Sequence, residues 1–355
     1  MSHELTIEPL GRTIEVEEGQ TLLDAALRAG IYLPHACGQG YCATCKVRIA
    51  EGEVDHGNAS NFALMDYERE EGQTLACCAM LESDAVIEAD IEIDDDARDI
   101  PVRDFHGVVS RIEDLTPTIK GIHIALDAGQ ALDFQAGQYI NLNLPHDMGV
   151  RAFSLASPPS AAGEIELNIR IVPGGAGTTW IHKELRVGDR ISFSGPYGRF
   201  FVHRSAGLPS LFIAGGSGLS SPRSMILDLL EEGGEATLPI TLVYGARNQQ
   251  ELYYHAEFLA LAERYPQFSY VPALSDEPAE SGWQGFRGYA HEAARAHFDN
   301  DFRGRKAYLC GPPVMIEACI TTLMQGRLFE KDIYTEKFFS AADAQQVRSP
   351  LFKRV

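Results

Sequence analysis

The sequence predicts a multidomain chain of three unlike parts: a small α+β unit, an antiparallel β-barrel and a doubly wound parallel α/β lobe. Three observations carry this. The 355 residues are enough for two or three separate cores. Acid is unevenly placed, with 22 Asp/Glu against 6 Lys/Arg in residues 1–100, a net of −16 out of the chain's −20. The apolar pattern then changes, from short runs up to about residue 205 to strand–helix alternation after Leu208.

Each part follows from local signals. In the first hundred residues, runs at 4–7 and 13–16 flank Gly11 and predict a hairpin. Thr21 is placed to cap a helix over residues 22–28, with Gly30 just past its end. A Gly-rich loop at 34–45 precedes a strand at 46–50, and 85–93 alternates as another strand. The acidic run Asp94-Asp95-Asp96-Ala97-Arg98-Asp99, followed by Pro101, reads as a solvated linker.

From Pro101 to about 205 the runs at 105–112, 119–126, 138–142 and 151–156 are short and separated by turn residues. Ile165, Leu167, Ile169 and Ile171 alternate with Glu164, Glu166, Asn168 and Arg170, a half-buried strand. Many such strands predict a barrel. Beyond Leu208, strands at 210–214, 240–244, 268–273 and 306–310 alternate with helices at 224–232, 251–264, 291–298 and 314–325. That alternation predicts a parallel sheet covered on both faces. No internal repeat is present.

Composition excludes several functions. The formal charge of −20 leaves no basic surface for nucleic acid. The N-terminus has no basic stretch followed by an apolar run, and no stretch approaches 18 apolar residues, so neither a signal peptide nor a membrane span is expected. The expected location is cytoplasmic, where clustered cysteines mean metal or redox chemistry more often than disulfides.

Cys37, Cys42 and Cys45 form C-x4-C-x2-C, with Cys77 further on. This is the ligand spacing of plant-type 2Fe–2S centres, in which four thiolates hold two irons. Gly38 and Gly40 can take positive φ and turn backbone N–H groups toward the sulfurs. Zinc sites favour paired C-x2-C knuckles, and only one C-x2-C is present. Cys78 is read as a small buried hydrophobe.

Arg151-Ala152-Phe153-Ser154 resembles the R-x-Y-S motif of the ferredoxin–NADP reductase superfamily. The resemblance implies that Arg151 neutralises the FAD pyrophosphate, that Phe153 stacks on the flavin or ribityl chain, and that Ser154 hydrogen-bonds near flavin N5. Phe153 departs from the usual Tyr, which removes a hydroxyl contact. Gly174-Gly175-Ala176-Gly177-Thr178-Thr179-Trp180 opens a short helix, whose free N–H groups suit a pyrophosphate. In that superfamily the position of Gly177, Thr178 and Thr179 holds the FAD phosphates. Gly195-Pro196-Tyr197-Gly198-Arg199-Phe200 is similar to the G-P-x-G-x-F turn that closes the flavin domain.

The apolar strand at 211–214 ends in Gly215-Gly216-Ser217-Gly218, glycines that let the backbone approach a pyrophosphate. The loop resembles the superfamily's G-G-T-G, with Ser217 for Thr. Cys310-Gly311-Pro312-Pro313 resembles its C-G-P-P, whose Cys lies beside nicotinamide C4, with Gly311 and Pro312 lining the nucleotide site. Glu336-Lys337-Phe338 resembles its E-x-aromatic, which implies a proton relay near N5 by Glu336 and a ring cover by Phe338. Ser154, Cys310 and Glu336 are thus the expected catalytic groups. Cys319 is expected to be structural. Arg247 offers one cation to a ribose 2′-phosphate, with Glu251 close behind, and NADH is favoured over NADPH.

The order of parts resembles the reductase components of bacterial multicomponent oxygenases, and the stretches 33–42 and 75–81 resemble the phenol hydroxylase members. The resemblance implies a β-grasp-like ferredoxin domain at 1–95, an antiparallel FAD-binding barrel at 101–205, an NAD-binding lobe at 207–340 and a C-terminal tail at 341–355. Electrons would pass from NADH to FAD to the cluster, then to a di-iron hydroxylase docking on the acidic ferredoxin domain. The reductase of a Rieske dioxygenase, that of a deoxysugar-forming dehydratase system and a redox sensor share parts of this pattern. A sensor has no need of Ser154, Cys310 and Glu336.

Overall fold

The computed structural model describes residues 2–161, 163–233 and 238–338, so the expected tail at 341–355 lies outside the described residues. The chain forms two compact units, one reaching Arg103 and the other beginning at Asp104.

The first unit holds β1 (Ser2–Glu8), β2 (Arg12–Glu17), α1 (Leu22–Arg28), β3 (Lys46–Glu51), β4 (Val54–Asp55), α2 (Asp66–Glu70), β5 (Gln73–Leu75), β6 (Met80–Leu81) and β7 (Ala85–Glu88). Its sheet runs β2-β1-β7-β3-β5, with β1 and β7 parallel and the other pairs antiparallel. Thr21 caps α1 by accepting the Asp24 N–H at 3.2 Å. The helix buries Leu22, Leu23, Ala25 and Ala26 against a core that includes Leu5, Ile7, Val47, Leu75 and Ile87. This is the grasp arrangement. The strand expected at 85–93 ends at Glu88. The chain beyond the acidic run is not simply solvated: Val102, 1% exposed, donates its N–H to Leu27 O at 3.0 Å. Burying that side chain carries the compact unit on to Arg103.

The second unit begins within β8 (Arg103–Thr116), one residue past its start, and continues through β9 (Ile119–Leu126), β10 (Tyr139–Asn143), β11 (Val150–Ser154), β12 (Glu164–Arg170), α3 (Ala176–Lys183) and β13 (Arg190–Tyr197). These strands form one sheet in the order β11-β10-β13-β8-β9-β12. An antiparallel bridge between Leu155 and Leu167 joins its ends into a barrel, filled by Val109, Ile124, Phe134, Ile140, Leu167 and Phe193. Two readings need correction. β13 escaped the sequence, and it takes in Gly195, Pro196 and Tyr197, which sequence reading placed in a turn. The outward face of β12 is also covered: Glu166 and Asn168 are each 6% exposed, because another part of the unit packs over them.

That part is the lobe: β14 (Ser210–Gly215), α4 (Ser220–Gly233), β15 (Ile240–Ala246), α5 (His255–Arg264), β16 (Phe268–Leu274), β17 (Phe286–Arg287), α6 (Ala290–His297), β18 (Lys306–Gly311), α7 (Pro313–Gln325) and β19 (Ile333–Lys337). The strands are parallel in the order β17-β16-β15-β14-β18-β19. Chain order reverses between β14 and β18, which opens a crevice at their carboxyl ends. The edge strands β17 and β19 are too short to show a period in the sequence. Among the described residues no helix is long and apolar enough to cross a membrane.

Candidate functional site

The four cysteines meet at one end of the first sheet. Lys46 pairs with Leu75 across β3 and β5, and the Ala76 N–H donates to Cys45 O at 2.9 Å, so the loop before β3 meets the turn after β5. The loop curls through left-handed residues: Gly38 at φ +62°, Gly40 at +80° and Ala43 at +60°. That path turns the N–H groups of Gln39 and Tyr41 onto Cys37 Sγ, both at 3.4 Å, and the Cys37 N–H onto Cys42 Sγ at 3.4 Å. Gly40 admits nothing larger, since a Cβ there would lie 2.7 Å from Cys78 Sγ. Cys78 itself is buried, 3.6 Å from Cys77 Sγ.

The sulfurs interact in pairs, Cys37 with Cys42 and Cys45 with Cys77. Burial works to raise the Cys42 thiol, yet hydrogen bonds from Thr44 and Cys37 outweigh it and bring the pKa down to about 7. The neighbouring Cys77 thiol, with burial, pushes Cys45 up. Two thiol pairs with N–H donors aimed at sulfur fit a two-iron cluster, which takes four thiolates and is tuned by such donors.

In the barrel, Arg151 and Ser154 lie on β11, where Ser154 pairs with Tyr139 of β10. Phe153 packs against the barrel core. Gly175 caps α3, so the free N–H groups of the helix start beside Arg151. A Cβ at Gly177 would sit 3.6 Å from Arg151 Cγ and 2.5 Å from Leu144 Cδ1, which explains a glycine inside the helix. His146, Gly174, Gly175, Thr179 and Trp180 line an open cleft of about 360 Å³ at this point. Thr178 Oγ1 accepts the Val172 N–H at 3.0 Å, which ties the start of α3 to the chain just past β12.

In the lobe, Gly215, Gly216, Ser217 and Gly218 turn from β14 toward α4 against the end of β18. A Cβ on Gly218 would lie 2.5 Å from Cys310 O, and one on Gly215 2.5 Å from Met315 Sδ. Gly311, at φ +149°, and Pro312, the cap of α7, form the facing wall. The Gly216 carbonyl accepts Tyr253 Oη–H at 2.9 Å, and Arg170 Nη1 lies 3.5 Å from a Cβ built on Gly216.

Between lobe and barrel one carboxylate collects three donors. Glu336 Oε2 accepts from Ser221 Oγ at 2.7 Å, Ser154 Oγ at 3.2 Å and Cys310 Sγ at 3.5 Å. The register explains one of them, because Cys310 and Glu336 are direct neighbours on β18 and β19. Burial raises the Glu336 pKa against the pull of those donors. Burial and the adjacent carboxylate push the Cys310 thiol well up, so it remains a neutral donor. Phe338 donates its N–H to Gly311 O at 3.2 Å and packs on the lobe core.

Sequence reasoning brought Ser154, Cys310 and Glu336 together but missed Ser221, Arg170 and Tyr253. Ser221 had a faint signal, following the glycine loop by three residues at the start of a helix. Arg170 looked like the outward residue of an alternating strand. Arg247, the possible phosphate ligand, is held by Glu251 in a two-point pair. Cys319 is fully buried on α7.

Residues 5–82 match the family model of the 2Fe-2S iron-sulfur cluster binding domain, 106–202 that of the oxidoreductase FAD-binding domain, and 212–320 that of the oxidoreductase NAD-binding domain. Fold and sites thus define the class, an iron–sulfur flavoprotein reductase. The chain is 61% identical over 357 residues to the reductase component of phenol 2-monooxygenase from Pseudomonas sp. (strain CF600), covering 100% of both. It is 56% identical over 357 residues to the phenol hydroxylase P5 protein of Acinetobacter pittii (strain PHEA-2), again over 100% of each. The crystal structure of an Amycolatopsis cytochrome P450 reductase superposes with a TM-score of 0.82 at 34% identity, over 95% of this chain and 98% of that one. The chain belongs to the reductase components of multicomponent oxygenases, oxidoreductases that carry FAD and a 2Fe–2S cluster and draw electrons from NADH.

Proposed function

We propose that this chain is the NADH-dependent reductase of a phenol-type aromatic monooxygenase, delivering single electrons to a di-iron hydroxylase in the cytoplasm. Full-length identity of 61% to a phenol 2-monooxygenase reductase component supports the substrate class. The observation that carries the chemistry is the convergence of Ser154, Ser221 and Cys310 on Glu336.

Bound FAD supplies the conversion between a two-electron hydride donor and a one-electron acceptor. The chain's residues hold and orient. Arg151 and the N-terminus of α3, with Gly177 and Thr179, offset pyrophosphate charge, while Thr178 braces the turn that presents them. Phe153 and Phe338 are assigned to the flavin ring's surroundings. Gly215, Gly216, Ser217 and Gly218, with Gly311 and Pro312, let the nicotinamide dinucleotide approach the crevice, and Arg170 stands ready for its phosphates. Ser154 and Ser221 hold hydroxyl protons at the carboxylate of Glu336, whose pKa burial raises above the usual carboxylate value. Cys310 shapes the wall beside them. Cys37, Cys42, Cys45 and Cys77 bind the iron. The domains are assigned as 1–95, 101–205 and 207–340.

The hydroxylase is assigned to the acidic first unit, near the cluster loop. Tyr41 is 66% exposed and rests on Cys37 through its own N–H, and Phe62 is 94% exposed. The Ser60 N–H donates to Gly40 O at 3.1 Å, which ties the Phe62 segment to that loop. Apolar anchors in an acidic field suit a partner with a basic rim, and such docking weakens with salt.

Anaerobic titration with NADH, followed by visible and EPR spectra, tests the proposal. Flavin bleaching and a reduced-cluster signal are expected together. Iron- and FAD-loaded protein that NADH leaves oxidised would refute it. Electron delivery to the hydroxylase that ignores ionic strength removes the docking assignment alone.

A further inference from the structure

The carboxylate site draws its hydroxyls from two different parts of the second unit. Ser154 ends barrel strand β11, and Ser221 lies in the first turn of lobe helix α4. Hydrogen bonds to Glu336 alone do not hold these in register, since one carboxylate serves both. Two residues beyond Ser221, however, the side chain of Arg223 crosses from lobe to barrel. Its Nη1 donates to Ala156 O at 2.7 Å and to Glu166 Oε2 at 3.0 Å. Its Nε and Nη2 grip Glu257 of α5 at 2.9 and 3.0 Å. The guanidinium lies 4.2 Å from the centre of the Tyr254 ring, and Tyr254 in turn donates to Glu166. Next along α4, Ser224 Oγ donates to Ser157 O at 2.7 Å. One helical turn is therefore stitched to residues 154–157 at three points: Ser221 through Glu336, Arg223 on Ala156, and Ser224 on Ser157.

Burial makes this more than a surface ion pair. The side chains of Arg223 and Glu166 are 11% and 8% exposed, on the β12 face that sequence alternation assigns to solvent. A buried arginine with two carboxylates, a carbonyl and an aromatic face has its donors used in several fixed directions, which a lysine cannot reproduce.

We infer that Arg223 is the positioning residue for hydride transfer, clamping the Ser221 turn onto the Ser154 strand so that both hydroxyls meet Glu336 in one geometry. This rests on the reductase reading of that site. The role follows from reach: Arg223 is two residues from Ser221 and its acceptor Ala156 is two residues from Ser154, so it acts on both serines through the backbone beside each. Small displacements at a reacting centre are costly, with about 1 Å enough for roughly a 10²-fold loss of rate.

The test uses the full-length protein loaded with FAD and iron. Bleaching of the flavin by NADH and by 4-deuterated NADH is followed anaerobically by stopped flow in wild type, Arg223→Lys, Glu257→Gln, Ser221→Ala and the Ser221→Ala/Arg223→Lys double variant. Arg223→Lys is expected to bleach about 10²-fold more slowly at saturating NADH, with a larger deuterium effect. FAD content, cluster EPR signal and half-saturating NADH should stay unchanged. Glu257→Gln, which keeps the guanidinium and its hold on Ala156, should lose less. The double variant should be no slower than the slower single one, because both act on one geometry. A wild-type bleaching rate in Arg223→Lys, or losses that multiply in the double variant, overturns the clamp alone. A slow variant that has also lost FAD overturns it in favour of plain structural support. A wild-type protein that NADH cannot bleach removes the reductase reading, and the clamp with it.

Discussion

The cysteine loop and the carboxylate site each bring four groups together, and they are built in opposite ways. Three of the four thiols lie between Cys37 and Cys45 on one curled loop, and their donors are that loop's own N–H groups. The carboxylate site takes its groups from β11, α4, β18 and β19, with Ser154 and Glu336 separated by 182 positions. Coordination is strong, needs one residue type and tolerates a loop. A hydrogen-bonded site is weak contact by contact and needs rigid elements to hold its geometry. Iron binding in the first unit should therefore depend on single side chains, and chemistry in the second on packing.

The largest expected effect separates the two sites. Cys42→Ser removes a thiolate from the Cys37–Cys42 pair and is expected to abolish the reduced-cluster EPR signal and electron delivery to the hydroxylase. NADH should still bleach the flavin at close to the wild-type rate. Loss of both activities in this variant would mean that the units do not function separately, and the contrast would fail.

The same difference explains what the sequence made legible. Four cysteines at a fixed spacing announce their chemistry without any fold, and the strand–helix rhythm after Leu208 is enough to place Cys310 and the glycine loop at neighbouring strand ends. Ser221 and Arg223 carried no comparable sign. Their roles depend on the lobe covering β12, and the alternation of Glu164, Glu166, Asn168 and Arg170 describes an isolated barrel strand. β19 pairs Glu336 with Cys310, but it is an edge strand of five residues that could be read only through a motif. Tertiary burial, absent from a local pattern, accounts for each of these misses.

Glu336→Gln sharpens the second half of the comparison. The amide keeps the shape but cannot exchange a proton, and flavin bleaching is expected to slow by about 10²-fold. A second readout is stability. Burial raises the carboxyl's folded pKa above the usual 4.5, so the folded state holds a proton that the unfolded chain releases. Stability from this group is full below that ordinary value and falls as pH rises toward the folded pKa. Glu336→Gln should flatten that decline, seen as a smaller loss of denaturation midpoint between acid and neutral pH. An unchanged slope would place the proton elsewhere.

Arg170→Ala probes the rim of the crevice rather than its centre. The guanidinium reaches the Gly216 turn from β12, and a charge-assisted contact of about 1.5–3 kcal/mol corresponds to roughly a ten- to hundredfold rise in KM for NADH. The kcat should be unchanged, since ground state and transition state lose the same contact. A fall in kcat with unaltered KM would instead assign Arg170 to the clamp around Arg223.

The smallest effect concerns the nucleotide's far end. β15 ends at Ala246, beside β14, where a doubly wound fold presents the group that meets the adenosine ribose. Arg247 stands there, but Glu251 holds it at two points, and Glu277 binds the neighbouring Gln249. Arg247 is thus already paired by a carboxylate, which favours NADH. The pair is largely surface, with Arg247 56% exposed, so it is worth about 0–1 kcal/mol. Glu251→Gln is expected to raise the ratio of NADPH to NADH kcat/KM by only about three- to fivefold. A ratio that does not move would mean that the ribose is read from the end of β16 instead, where Asp276 offers no cation to release, and selectivity would then have to be sought in the shape of that strand end rather than in the charge of this one.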